Sequence, residues 1–111
     1  MNALGFNGDC FETAMYVAKE TGGMVVHGLP IGRGPLNRGR RYWHAWCESN
    51  GLVLDFASGR SIRYPVAIYY RKGRLSEEHI YRYTLEEAIA NATEDGSYGP
   101  WVEGYKEMEE V

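Results

Sequence analysis

The chain has 111 residues, 44% of them hydrophobic and 24% charged, which is ordinary globular usage and excludes intrinsic disorder and collagen-like repetition. Twelve basic against fifteen acidic side chains leave a net charge of -3, the wrong sign for a protein that coats nucleic acid. No apolar run approaches the roughly 18 residues of a membrane span, and the first residues show no basic-then-apolar leader. A single cytoplasmic domain over residues 1–111 is expected, with no membrane association. Its two cysteines, Cys10 and Cys47, are then expected as free thiols, because a cytosol keeps thiols reduced.

In chain order, the first predicted element is a helix from Asp9 to Thr21. Asp9 and Glu12 have capping-box spacing, Phe11, Ala14, Met15 and Ala18 recur at helical intervals, and Gly22-Gly23 ends the run. Met24 to His27 reads as a short strand. Gly28 to Arg41 holds four glycines, two prolines and four arginines, a long irregular loop of the kind that often carries function. Tyr42 to Glu48 and Leu52 to Phe56 are strand-like, and the Asn50-Gly51 between them is a strong hairpin signal. Ser61 to Tyr64 and Val66 to Tyr70 are read as further strands around Pro65, with Arg71 to Arg74 as the next turn. His79 to Tyr83 is a last strand. Thr84 and Glu87 then open a second capped helix that Asp95-Gly96 closes. Helix, antiparallel strands, helix is an α+β order, with the N-terminal helix packed on an antiparallel sheet.

Three side chains in this layout carry chemistry. Cys10 falls at the start of the first helix, where unpaired N–H groups and the helix dipole favour an anion. A cysteine there is either a thiol nucleophile or a small buried hydrophobe. The hairpin supplies the second observation. A two-residue turn at Asn50-Gly51 sets Trp46 opposite Asp55 and His44 opposite Ala57, so His44, Trp46 and Asp55 share one face. His44 and Asp55 are then diagonal neighbours, about 7–8 Å apart along the backbone, a gap their side chains bridge. A carboxylate holding one imidazole nitrogen fixes the tautomer and leaves the other nitrogen for proton transfer. Asp55 is also costly to bury inside Leu52-Val53-Leu54-Asp55-Phe56 unless it has a partner.

Gly8-Asp9-Cys10 opening a helix, His44-Ala45-Trp46-Cys47-Glu48 and Leu52-Val53-Leu54-Asp55 together resemble the transglutaminase-like branch of the papain-like cysteine-enzyme superfamily. The resemblance spans residues 8 to about 58; where members commonly carry Asp-Pro-Thr, this chain has Asp55-Phe56-Ala57. It implies a papain-like core in which Cys10 is the nucleophile, His44 the general base and Asp55 the orienting acid. The implied reaction is acyl transfer or hydrolysis at an amide or isopeptide bond of a peptide or protein, without a cofactor. Tyr98-Gly99-Pro100-Trp101 is similar to the tails of small bacterial and phage proteins of this type.

The remaining candidates are weaker. Asn7 and Trp46 stand near Cys10 and His44 as oxyanion donors, Asn7 otherwise being a turn residue beside Gly8. Cys47 alternates away from His44 into the core, and His27 and His79 lack partners at informative spacing. No Cys-x-x-Cys or His-x-x-x-His pair exists, so no metal site is expected. Arg33, Arg38, Arg40 and Arg41 form one basic patch, with Arg40 and Arg41 as substrate-binding candidates. The rival function is a non-catalytic binding module of the same fold, gripping protein or nucleic acid through that loop.

Overall fold

The computed structural model describes residues 9–102. Helix α1 spans Asp9–Thr21 and buries Phe11, Ala14, Val17 and Ala18, a stripe at i, i+3, i+6 and i+7 that lies on the sheet. The side-chain cap expected from Asp9 lies outside the described residues. Strands β1 (Met24–Gly28), β2 (His44–Ser49), β3 (Leu52–Asp55), β4 (Ile62–Pro65) and β5 (Ile80–Tyr83) form one antiparallel sheet in the order β4-β3-β2-β1-β5. The molecule is therefore α+β, as its element order implied.

Both faces of the sheet are covered, and the period of two along each strand decides what goes where. Val25, Ala45, Cys47 and Leu54 point to the face that receives α1 and Ala88 of helix α3 (Leu85–Asp95). Val26, Trp46, Val53 and Ile80 point to the opposite face. The β2–β3 hairpin turns at Asn50 and Gly51, both with positive φ (54° and 80°), the pairing a type I′ turn requires. Helix α3 is opened by a complete capping box between Thr84 and Glu87 and closed by Gly96, also as its sequence indicated.

One expectation is overturned. Val66–Gly73 is a helix, α2, and not a strand; Arg71 and Lys72 belong to its last turn, and Arg74 caps it in the left-handed conformation. The β-branched and aromatic residues of this segment favour a pleated strand in isolation, but tertiary burial decides the matter. As a helix the segment sets Val66, Tyr69 and Tyr70 on one side at i, i+3 and i+4, against Val26, Trp46, Val53 and Ile80. Pro65, at the end of edge strand β4, stands at the N-cap of α2 with φ of -52°.

The loop between β1 and β2 has no regular structure but is pinned. Ile31 bridges to Arg41 and Gly32 to Arg38, while the Arg41 guanidinium donates to the carbonyls of Leu29 and Arg74, each at 2.8 Å. Loop and α2 C-terminus are thus tied to each other.

His27 in β1 is fully buried between the rings of Phe11, Tyr83 and Trp101, with centroids 4.7, 5.2 and 4.7 Å away. Gly99 closes the box, since any Cβ there would collide with the imidazole. Neither ring nitrogen has a hydrogen-bond partner among the described residues. Burial holds its pKa down to about 3, from 6.5 for an ordinary histidine. The unfolded chain therefore binds a proton that the folded one refuses, so stability is complete above about pH 6.5 and falls as pH drops from there towards 3, by up to about 5 kcal/mol. His27→Leu is expected to raise the urea midpoint at about pH 4 and to leave it nearly unchanged at about pH 8. An acid limb identical to that of the unaltered protein would contradict this account of His27.

Candidate active site

The hairpin register is the one read from the sequence: Ser49 pairs with Leu52, Glu48 with Val53 and Cys47 with Leu54. Continuing it sets Trp46 against Asp55 and brings His44, at the first position of β2, diagonally across from the last position of β3. The side chains meet there. His44 Nε2 lies 2.8 Å from Asp55 Oδ2, with the imidazole side chain only 9% exposed and the carboxylate fully enclosed. The same carboxylate oxygen accepts the Tyr69 hydroxyl at 2.7 Å, and Oδ1 accepts the Ala57 backbone N–H at 3.4 Å. A buried acid with three donors converging on it is oriented as well as paired.

Cys10 completes the group from α1. It lies in the first turn of that helix, is half-buried, and is near enough to His44 to contribute to the raised pKa of that imidazole. With Nε2 engaged by Asp55, Nδ1 is the ring nitrogen left for the sulfur. Burial alone would lower the His44 pKa, but hydrogen bonds from Asp55 and then Cys10, and the charges of both, carry it up to about 9. Burial would likewise raise the Asp55 carboxyl, yet the hydrogen bond and charge of His44, the Tyr69 hydroxyl and the charge of Arg60 hold it below the usual carboxylate range. At neutral pH the centre is an imidazolium between a carboxylate and a sulfur. Such a cation already holds the proton a leaving group needs.

Comparison with protein-family models, curated proteins and solved structures returned no match.

The other sequence-derived candidates are distributed as follows. Asn7 lies outside the described residues. Trp46 is buried, and its indole N–H donates to Glu48 Oε2 at 3.0 Å, so that donor faces the core and not an oxyanion. Arg41 is engaged by backbone carbonyls and acts as a clamp within the scaffold. Arg40 is exposed, its carbonyl taking the Gly32 N–H. Cys47 is sealed in the core against Thr21, and burial pushes its pKa up. No cluster of metal-ligating side chains is found among the described residues, nor is any helix among them long and apolar enough to cross a membrane.

Sequence reasoning missed Tyr69, because its segment was read as a strand. The helical spacing of Val66, Tyr69 and Tyr70 was the available signal, and a tyrosine on a sheet-facing stripe needs a polar partner for its hydroxyl. Tyr42 was also missed. Its ring lies 5.8 Å from that of His44, and with Tyr69 it forms part of the wall of a cavity of about 300 Å³ completed by Pro30, Arg33, Arg60 and Tyr64. The cavity is thus linked to the His44–Asp55 pair through Tyr42 and Tyr69, which stand between them.

Proposed function

We propose that this chain is a thiol-dependent acyl-transfer enzyme of the transglutaminase-like, papain-like kind, acting on an amide or isopeptide bond of a peptide or protein. The observation that supports it best is the buried His44–Asp55 hydrogen bond with Cys10 near enough to act on the same imidazole. Those residues come from a helix start, a strand start and a strand end. Structural histidine–carboxylate pairs are common, but this one has the half-buried sulfur of a helix start beside its imidazole.

The chemistry follows from the protonation state. The sulfur electron pair of Cys10 attacks the acyl carbon, the C–S bond forms, and the carbonyl π pair moves onto oxygen. Collapse of that adduct breaks the C–N bond, and the departing amine takes the proton that His44 carries. The resulting thioester is attacked by water or by a second amine, which gives its proton to the now neutral His44 as the C–S bond breaks. Asp55 keeps the imidazole in register and stabilises its charged form throughout. A cytoplasm is the expected setting, since there the sulfur stays reduced.

The test is acylation of the protein by a short peptide thioester, followed by intact mass. One acyl adduct on Cys10 is expected, none in Cys10→Ser, and none on Cys47. Slow and equal reaction of both thiols would sink the catalytic reading and leave a binding module of the same fold.

A further inference from the structure

The cavity beside Tyr42 and Tyr69 does not end there. Ile31, Arg33 and Lys72 form a common wall between it and a second cavity of about 450 Å³, completed by Gly32, Arg38, Gly39 and Arg74. The two together line a trough from Tyr42 and Tyr69, the neighbours of the His44–Asp55 pair, along the pinned loop to the end of α2. Arg33, Arg38, Lys72 and Arg74 line it, with Arg60 at the inner end, and among the described residues no carboxylate does. Among the described residues none of these five cations is in an ion pair. Apart from Arg60, whose charge acts on Asp55, this positive charge faces no described carboxylate partner, in a chain whose net charge is -3.

The wall is preformed. Arg33 donates to the Lys72 carbonyl, Ile31 N–H donates to the Gly73 carbonyl, and Arg41 clamps Leu29 to Arg74. A ligand binding there orders little of the protein, so more of its interaction appears as affinity.

We propose that the acyl donor is an acidic peptide segment whose carboxylates are held along this trough by Arg33, Arg38, Lys72 and Arg74. Guanidinium forks match carboxylates in bidentate fashion, and a row of them suits successive acidic side chains. A nucleic acid would need free aromatic faces for its bases, and the three tyrosines of the trough are already engaged, Tyr42 with its ring 5.8 Å from that of His44. The Tyr64 ring is covered by the Lys72 ammonium at 5.5 Å, and Tyr69 is packed on Trp46 with its hydroxyl on Asp55. This assignment rests on the acyl-transfer reading for the word donor, but the trough is testable without catalysis.

The experiment measures binding of fluorescein-labelled hexaglutamate and hexaglutamine to Cys10→Ser protein by anisotropy, with hexathymidylate as a further ligand. Hexaglutamate is expected to bind at least about tenfold more tightly than hexaglutamine, and the preference to collapse at about 0.5 M salt. Arg38→Glu with Lys72→Glu, both at exposed positions, is expected to abolish the preference while the urea midpoint stays in place. Equal binding of the two peptides, indifference to the double substitution, or tighter binding of hexathymidylate would overturn the proposal. A parallel acylation with glutamate-rich and glutamine-rich peptide thioesters separates the two ideas. Equal acylation of Cys10 by both removes the acidic donor but keeps the enzyme; hexaglutamate binding without any acylation keeps the trough and removes the enzyme.

Discussion

Substitution of His44 by alanine is expected to slow acylation of Cys10 by a peptide thioester about a hundredfold at about pH 6. The reason lies in charge. The sulfur here adjoins an imidazolium that Asp55 and Cys10 together hold up to about 9 against the opposing effect of burial. As pH rises the advantage must shrink, because near pH 9 the imidazolium loses its proton. The ratio of unaltered to His44→Ala rates is therefore largest on the acid side and closes through about pH 9. A ratio that does not change with pH would show that His44 acts on the fold and not on the sulfur. Circular dichroism of the variant separates a local effect from unfolding.

Loss of Asp55 is expected to cost about 3–5 kcal/mol of stability for Asp55→Ala, read as the urea midpoint at about pH 6. That carboxylate is fully enclosed and holds the His44 imidazolium, the Tyr69 hydroxyl and the Ala57 N–H. Alanine would leave all three without their acceptor, and His44 would follow burial and lose its charge. The pH signature has a definite sign. His44 is raised in the folded state, so its contribution is complete below about pH 6.5 and is lost as pH climbs to about 9. Asp55 is lowered, so its contribution is present above about pH 4 and is lost only when pH falls through its depressed value. Together they define a window of about pH 4 to 6.5 in which the unaltered protein exceeds Asp55→Ala by most. Tyr69→Phe removes one donor only and should reproduce the effect at about 1–3 kcal/mol. A midpoint for Asp55→Ala that lags equally at about pH 6 and about pH 10 would refute the ion-pair account.

The parts legible in the sequence are those with short-range causes. Helix α1 follows from a four-residue apolar stripe and a glycine stop, and α3 from a capping box that the structure reproduces bond for bond. The hairpin follows from Asn50-Gly51. That turn alone was enough to predict that His44 and Asp55 share a face, since a one-residue slip would separate them. Helix α2 was illegible for the opposite reason. Eight residues rich in valine, isoleucine and tyrosine make a marginal helix in water, and the hydrophobic face of β1, β2, β3 and β5 supplies what local propensity lacks. Tyr69, and with it the third donor to Asp55, was lost from view together with the helix.

The arginine loop shows the same division. Its charge was visible, but Arg41 proves to be a clamp, and Arg33 and Arg38 join Lys72 and Arg74, which come from a different element, in lining one trough. By itself the sequence determined an α+β chain with a cysteine at a helix start and a histidine–aspartate pair on one hairpin, because turns, caps and strand alternation act over a few residues. Only the tertiary structure decided that the helix start reaches the histidine, that Tyr69 and the trough stand beside it, and that β1 lies between β2 and β5. Those outcomes depend on packing two apolar sheet faces at once, and no local pattern encodes which distant segments fill them.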